Sequence, residues 1–321
     1  MRYARQEQVI GKKGQETLSQ SRIAILGLGA IGSVAAEMLA RSGADLILID
    51  RDIVEESNLS RQWYEEKDLD VPKALALQQR LRNINSSVKI DAVFDDFNAA
   101  NAVMLLRGVD FAIDGFDNLY SRFLLNDACL TLGIPFTYAA AVQARGLCAV
   151  IIPRRTACLR CFLPYSQGRL ETCEAAGILA PVSGTVGMLA ALEAIKFLAG
   201  FGKSCERLLS IDFENNEITE SALKQIPGCP ACAGRYEFLS EAMQRTPVVQ
   251  LCGAGSYYVA LPQRIDAALF KKIAGMHGND HVAHVRFGRR DVTLFAHGRM
   301  IVRNASSEKE ARSVAEKLLS F

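Results

Sequence analysis

The sequence predicts an α/β protein: a doubly wound, mainly parallel sheet with an antiparallel extension, followed by a small C-terminal α+β unit. Three observations predict it. Short apolar runs alternate with helix-length segments over the first two thirds of the chain. A cluster of glycines separates the first of those runs from the first of those helices. From about Thr246 the pattern changes to short strands joined by turns rich in Gly and Arg.

The first element is "SRIAILGLGAIGSVAAEMLARSGADLILID". Ile23 to Leu26 is an apolar run of the kind a parallel strand covered on both faces requires. Glycines follow, then small and apolar residues to Leu39 that suit a helix. A second apolar run, Leu46 to Ile49, ends at Asp50, which completes a βαβ unit. The alternation continues. "VKIDAVF" reads as a strand, "NAANAVMLLRG" as a helix, "VDFAIDGFDN" as a strand ending in acids, "LYSRFLLNDACLTLG" as a helix and "IPFTYAAAV" as a strand. "RGLCAVIIP", "ERLLSIDF" and "NEITESAL" extend the sheet with antiparallel strands. This order is that of a Rossmann-like fold. The polar stretch "RDIVEESNLSRQWYEEKDLDVPK" is too long for a simple connection, and loops of that length are usually functional.

The boundary between the two units is expected at residues 244–245. Beyond it, "HVAHVRFGRRDVTLFAHGRMIVRN" gives short strands, and "SSEKEARSVAEKLLSF" a closing helix capped by Ser306 or Ser307.

Half of the 321 residues are hydrophobic and 22% are charged, the balance of a soluble enzyme with a sizeable core. A net charge of +2 gives no reason to expect nucleic acid or an anionic membrane as partner. The opening residues are charged and lack an apolar run, so no secretory signal is expected. "GTVGMLAALEAIKFLAG" is interrupted by Glu193 and Lys196 and falls short of a span, so it reads as a buried helix. Nine cysteines without a signal point to a reducing, cytoplasmic setting, where thiols bind metals or react.

Gly27-Leu28-Gly29-Ala30-Ile31-Gly32 fits G-x-G-x-x-G between a strand and a helix. Such glycines let a phosphate approach the amides at a helix N-terminus, and Asp50, ending the next strand, can bond ribose hydroxyls. Alone, the motif says nucleotide and, by default, NAD. The next residues do not suit hydride transfer. Asp52, Asn58, Arg61 and Gln62 follow, then Lys73, and cations near the phosphates suit a triphosphate whose pyrophosphate departs. Asp114 and Asp117 stand at a strand's carboxyl end, where Mg²⁺ finds carboxylates; Asp117 or Asn118 could equally cap the helix that follows.

"CLRC" and "CPAC" supply Cys158, Cys161, Cys229 and Cys232. Two C-x-x-C pairs make a tetrahedral Zn²⁺ site, closed and therefore structural. The 67 residues between the pairs exceed the roughly 15–20 of a ribbon, so the site staples distant segments. Redox pairs or an iron–sulfur centre are the alternatives, and the spacings fit no ferredoxin. Cys129 and Cys148 read as core, and Cys205 and Cys252 fall in loops. The four histidines, His277, His281, His284 and His297, all lie in the C-terminal unit and read as surface residues.

"RYARQ", "GLGAIG", "DRDIVEESNLSRQ", Lys73 and "DGFDN" occur in this order in the MoeB/ThiF family, and the chain resembles that family from Arg2 to about Gly234. The family adenylates the C-terminal glycine carboxylate of a small ubiquitin-like sulfur-carrier protein with ATP and Mg²⁺. The resemblance implies that Gly29 and Gly32 lie near the phosphates and Asp50 near the ribose. Asn58, Arg61 and Lys73 would face the triphosphate, and Asp117 would hold Mg²⁺. Arg5 resembles the family arginine that reaches the phosphates from the partner subunit, which implies a homodimer. Where the family usually has G-x-P-K before the lysine, this chain has Asp70-Val71-Pro72-Lys73, which implies a differently shaped loop.

Cys173 lies 12 residues after Cys161, just before "AAGILAPVSG". The region resembles the thiamine-pathway branch of the family, whose matching cysteine links covalently to a carrier with a C-terminal Gly-Gly. Cys173 is therefore a candidate nucleophile, and a sulfur-donor protein a further partner; the alternative is a thiol that adenylation never uses. Two other functional readings stand beside adenylation of a carrier: an NAD-dependent oxidoreductase, and a relative that activates a different carboxylate, on a peptide or a modified tRNA base. The C-terminal unit is a candidate binding module.

Overall fold

The computed structural model describes residues 2–163, 177–204, 206–240, 248–250, 255–261, 265, 267–278, 281–296 and 298–319. They fall into two compact units, Met1–Met243 and Gln244–Phe321.

In the first unit, β1 (Arg22–Leu26), β2 (Asp45–Asp50), β3 (Ile90–Phe94), β4 (Phe111–Asp114) and β5 (Phe136–Val142) run parallel. β6 (Arg145–Ile151), β7 (Arg207–Asp212) and β8 (Glu217–Ala222) continue the sheet antiparallel. The order across it is β3-β2-β1-β4-β5-β6-β7-β8. Helices are α1 (Ala4–Gln20), α2 (Gly32–Ser42), α3 (Lys73–Ile84), α4 (Ala102–Leu105), α5 (Leu119–Leu132), α6 (Leu159–Phe162) and α7 (Ala180–Ala199).

The apolar runs are continuous because both sheet faces are covered. Ile23 and Ile25 pack in one core layer with Leu39 of α2, Leu77 of α3 and Val186 of α7. Ala24 and Leu26 pack in the opposite layer with Ala102 of α4 and Phe123 of α5. α7 is long and apolar enough to cross a membrane by composition, and 44% of its most apolar window is buried in the fold. Its polar interruption is absorbed locally: Glu193 is buried and accepts from Lys196 Nζ at 2.7 Å.

Among the helices not foreseen in the sequence, two bear on the site. α3 opens at Lys73 inside the stretch read as a loop. α1 bends sharply at Gly11, whose φ of 74° breaks the helix. The bend brings Gln6 Nε2 to 2.7 Å from Gln15 Oε1, and both side chains donate to the carbonyl of Ser42. The helix expected in "NAANAVMLLRG" is only the single turn of α4.

The second unit is a five-stranded antiparallel sheet. Its strands are β9 (Val248–Gln250), β10 (Tyr257–Ala260), β11 (Val282–Phe287), β12 (Arg290–Phe295) and β13 (Arg299–Arg303), in the order β11-β12-β13-β10-β9. α8 (Ala267–His277) and α9 (Glu308–Leu319) accompany it, and Val292, Leu294, Met300 and Val302 pack with Phe270, Val314 and Leu318. Ser307 Oγ accepts from the Glu310 amide at 3.2 Å, so Ser307 is the cap of α9. His281 and His284 are half-buried rather than fully exposed.

Candidate active site

β1 lies between β2 and β4, so the chain leaves β1 toward one side of the sheet and returns on the other. In a doubly wound sheet the crevice at the carboxyl ends of such strands is where ligands bind. Of the residues expected to hold a nucleotide, Asp50, Asp52, Lys73 and Asp117 are close enough to interact with one another there.

The glycine turn is built by close approach. Gly27 has a φ of 83°, and a Cβ on Gly32 or Gly115 would overlap the Gly27 carbonyl oxygen. Gly29 is different, because a Cβ there would meet only Gln62 Nε2, at 3.9 Å. Among the described residues, the amides of Gly29, Ala30 and Ile31 donate to no protein acceptor. They stand at the N-terminus of α2, where the helix dipole also favours an anion.

Asp50 braces this turn. Its Oδ2 accepts from the Leu28 amide at 2.6 Å and its Oδ1 from the Asp52 amide at 2.7 Å. Burial raises its pKa from 3.8 to about 6, against the pull of Lys73. Lys73 is buried, 3.5 Å from Asp52, with its own amide on the Asp52 carbonyl. Burial works against its charge, but Asp52, Asp50, Asp117 and Glu55 together outweigh it and hold the ammonium above its usual pKa. The crevice therefore carries a fixed cation among carboxylates.

Asp70 stands where the sequence departs from the family's pre-lysine pattern. It adopts a φ of 61°, the left-handed conformation glycine favours, and its amide bonds the Val54 carbonyl at 3.0 Å. The loop thus takes a glycine-compatible shape although the glycine is replaced, and Asp is among the few residues that tolerate this.

The segment Glu55–Gln62 carries the other candidates. Asn58 is buried, and its Oδ1 accepts from the Glu55 amide at 3.1 Å. Arg61 is half-exposed, with Nη1 on the Ser57 carbonyl at 2.6 Å. Gln62 is buried, and its Oε1 has no partner among the described residues. Its Nε2 lies beside Gly29, and a buried polar side chain with an unpartnered atom next to an open amide fits a ligand site.

Asp117 is exposed, and Asn118 Nδ2 donates to it at 3.2 Å. Asn118 Oδ1 accepts from the Ser121 amide at 2.9 Å, so Asn118 is the N-cap of α5 and Asp117 is left facing out. Asp114 is not an open metal ligand. It is fully buried, 2.7 Å from Arg122 Nη1, and burial raises its pKa to about 6 despite that guanidinium. Arg122 also donates to the carbonyls of Ala139 and Phe116 and stacks on Tyr138. Sequence reasoning missed Arg122; its only signal is a lone cation inside an apolar helix.

Arg5 is not part of its own chain's crevice. Its segment of α1 is tied through Gln6 to Ser42, the last residue of α2, whose first residue is Gly32. Eleven helical residues span about 16 Å. Cys173 lies outside the described residues. The chain re-enters at Gly177, whose carbonyl accepts from the Gln143 amide at 2.9 Å.

Away from the crevice, Cys158, Cys161, Cys229 and Cys232 meet with all sulfurs within 4.8 Å of one another. Three of the pairs measure 3.6 to 3.8 Å. A Zn–S bond of about 2.3 Å in a tetrahedron implies sulfurs about 3.8 Å apart. The Ile226 amide points at Cys161 Sγ at 3.5 Å. The donor set and its size fit a zinc ion. Cys129 and Cys148 are buried, as expected of core thiols; Cys205 and Cys252 lie outside the described residues.

Comparison with known proteins agrees with this geometry. A *Bacillus subtilis* protein named sulfur carrier protein ThiS adenylyltransferase is 35% identical over 98% of this chain and 98% of its own length. Its *Escherichia coli* namesake is 36% identical over 73% of this chain and 95% of its own. The *E. coli* molybdopterin-synthase adenylyltransferase is 34% identical over 68% of this chain and 90% of its own. Among solved structures, *E. coli* MccB with ATP has the same fold, with a TM-score of 0.64 at 23% identity over 73% of this chain and 75% of that one. The ThiF family model matches residues 3–231, and the chain belongs to the ThiF family.

Proposed function

We propose that this protein is an ATP-dependent adenylyltransferase that activates the C-terminal glycine carboxylate of a small ubiquitin-like sulfur-carrier protein. The observation that carries the reading is Lys73, buried and charged among Asp50, Asp52 and Asp117, with Asp50 itself bonded to the Leu28 amide of the glycine turn. The full-length likeness to a ThiS adenylyltransferase supports the choice of substrate class.

A carrier carboxylate oxygen attacks the α-phosphorus of ATP, the bond to the β-phosphate oxygen breaks, and pyrophosphate leaves with the electron pair. No protein acid or base is needed, because the nucleophile is ionised at neutral pH. The chain's work is positioning and charge. The amides of Gly29, Ala30 and Ile31 receive phosphate oxygens, Asp50 accepts from the ribose, and Arg61 and Lys73 offset charge on the triphosphate. Asp117 would hold Mg²⁺, which when bound neutralises phosphate charge. The thiolate quartet would hold Zn²⁺ as a closed structural site. An NAD-dependent oxidoreductase would leave Lys73 and Arg61 without a role.

Arg5 acts on the partner's site in a homodimer, a reading supported by its place at the far end of α2 from its own crevice. Met188 and Leu192, exposed on one face of α7, supply apolar surface for such a pairing. In a later step the Cys173 thiolate attacks the acyl-adenylate carbonyl and AMP leaves with the electron pair of the broken C–O bond, giving an acyl-enzyme that a sulfur donor then opens. Free core thiols and a thiolate quartet suit a reducing, cytoplasmic setting. Incubation with Mg·ATP and a carrier ending in Gly-Gly tests the reading: the carrier gains an AMP in intact mass as pyrophosphate appears, and a carrier unchanged in mass refutes it.

A further inference from the structure

Tyr64 is buried beside the glycine turn, and its hydroxyl donates to the Leu28 carbonyl at 2.8 Å. The amide of Leu28 is held from the other side by Asp50 at 2.6 Å. The carbonyl that Tyr64 grips belongs to the Leu28–Gly29 peptide. A trans peptide is planar, and its C=O and N–H point in opposite directions. Fixing the one therefore aims the other: the Gly29 N–H is directed away from Tyr64, and among the described residues it has no acceptor.

A second stitch runs in parallel. The Trp63 amide donates to Ser33 Oγ at 3.2 Å, and Ser33 Oγ donates to the Gly29 carbonyl at 2.7 Å. Residues 63 and 64 thus bind the carbonyls on both sides of Gly29, directly or through Ser33. The same short segment carries Arg61 and Gln62, and Gln62 brings its Nε2 beside Gly29.

We propose that Tyr64 is a positioning residue for the triphosphate: by clamping the Leu28 carbonyl it aims the Gly29 amide at a phosphate oxygen and sets the distance between the glycine turn and Arg61. The inference rests on the adenylation reading and adds a residue that the G-x-G-x-x-G motif does not contain. Burial, with Asp50, Asp68 and Asp52 adding to it, holds the Tyr64 phenol well above its usual pKa, so it remains a donor at neutral pH.

The test compares Tyr64→Phe, which removes one oxygen, with the wild type. Ser33→Ala, which cuts the second stitch, is the companion variant. Binding of Mg·ATP and of adenosine is followed by calorimetry and by the fluorescence of Trp63, the sole tryptophan. A lost neutral hydrogen bond predicts Mg·ATP affinity falling about three- to tenfold. Adenosine, which has no phosphate, keeps its affinity. In pyrophosphate exchange the KM for ATP rises while kcat holds. Unchanged Mg·ATP affinity in Tyr64→Phe overturns the proposal, and so does an equal loss for Mg·ATP and adenosine, which marks a folding contact. A wild type that binds no Mg·ATP refutes the adenylation reading itself, and this inference with it.

Discussion

Arg122 donates to the buried carboxylate of Asp114 at 2.7 Å and also to the carbonyl of Phe116, so one guanidinium ties the end of β4 to the loop that presents Asp117. The pair lies wholly inside the fold, and Arg122 reaches Ala139 of β5 as well. It fixes the root of the crevice without entering it.

Removing that tether leaves a buried carboxylate without its cation. Arg122→Met is expected to lower stability by about 3–5 kcal/mol and to loosen the Asp117 loop. Asp114→Asn in the same chain restores part of the loss, because it removes the uncompensated charge. Denaturant melts of the two singles and the double measure the coupling.

Asp50 and Asp114 are both raised by burial to about 6. A carboxyl raised above its ordinary 3.8 stabilises the fold fully below that value, and this contribution is lost as pH rises through about 6. Catalysis runs the other way, because the ionised Asp50 is the form that accepts from two amides and, in the proposed site, from a ribose. Mg·ATP affinity is therefore expected to be flat above about pH 7 and to fall as pH drops through about 6. Asp50→Asn should remove both the inflection in affinity and that part of the stability slope. Calorimetric titrations and thermal melts across the range check this.

The quartet of Cys158, Cys161, Cys229 and Cys232 predicts one zinc per chain by elemental analysis. Its loss unties two segments of distant sequence. Chelation or Cys158→Ser should lower the melting temperature by roughly 10 °C or more, since structural zinc contributes several kcal/mol to folding. A protein that melts unchanged after losing its metal would contradict a structural site.

How much of this was legible in the sequence follows from the range of each interaction. The glycine turn, Asp50 and the two C-x-x-C pairs could be read because their partners lie within a few residues or follow a fixed spacing. That the two pairs meet was inferred from chemistry, and the sulfur distances bear it out. Asp114 was read as a possible magnesium ligand because its partner, Arg122, is in contact only once α5 folds back on β4. The left-handed backbone of Asp70 could not be read from the sequence, because it is set by the Asp70 amide reaching Val54. The bend of α1 depends on Gln6 and Gln15 both reaching Ser42, a tertiary contact with no local periodicity.

The place of Arg5 makes a prediction about subunits. In the proposed homodimer, Arg5→Ala and Asp117→Ala proteins should each be inactive, yet mixed dimers contain one site in which both residues are native. Co-refolding equal amounts is expected to restore about a quarter of wild-type exchange, because half the dimers are mixed and each has one good site. No recovery would place Arg5 outside the partner's crevice.

The most direct measurement is exchange of labelled pyrophosphate into ATP, with Mg²⁺ and a carrier ending in Gly-Gly, by the wild type, Asp117→Ala and Cys173→Ala. Adenylation at the β1–β4 crevice predicts rapid exchange by the wild type, a fall of about a hundredfold or more in Asp117→Ala, and near-normal exchange in Cys173→Ala. Exchange that survives the loss of Asp117, or that vanishes with Cys173 in a folded, zinc-loaded protein, would contradict it.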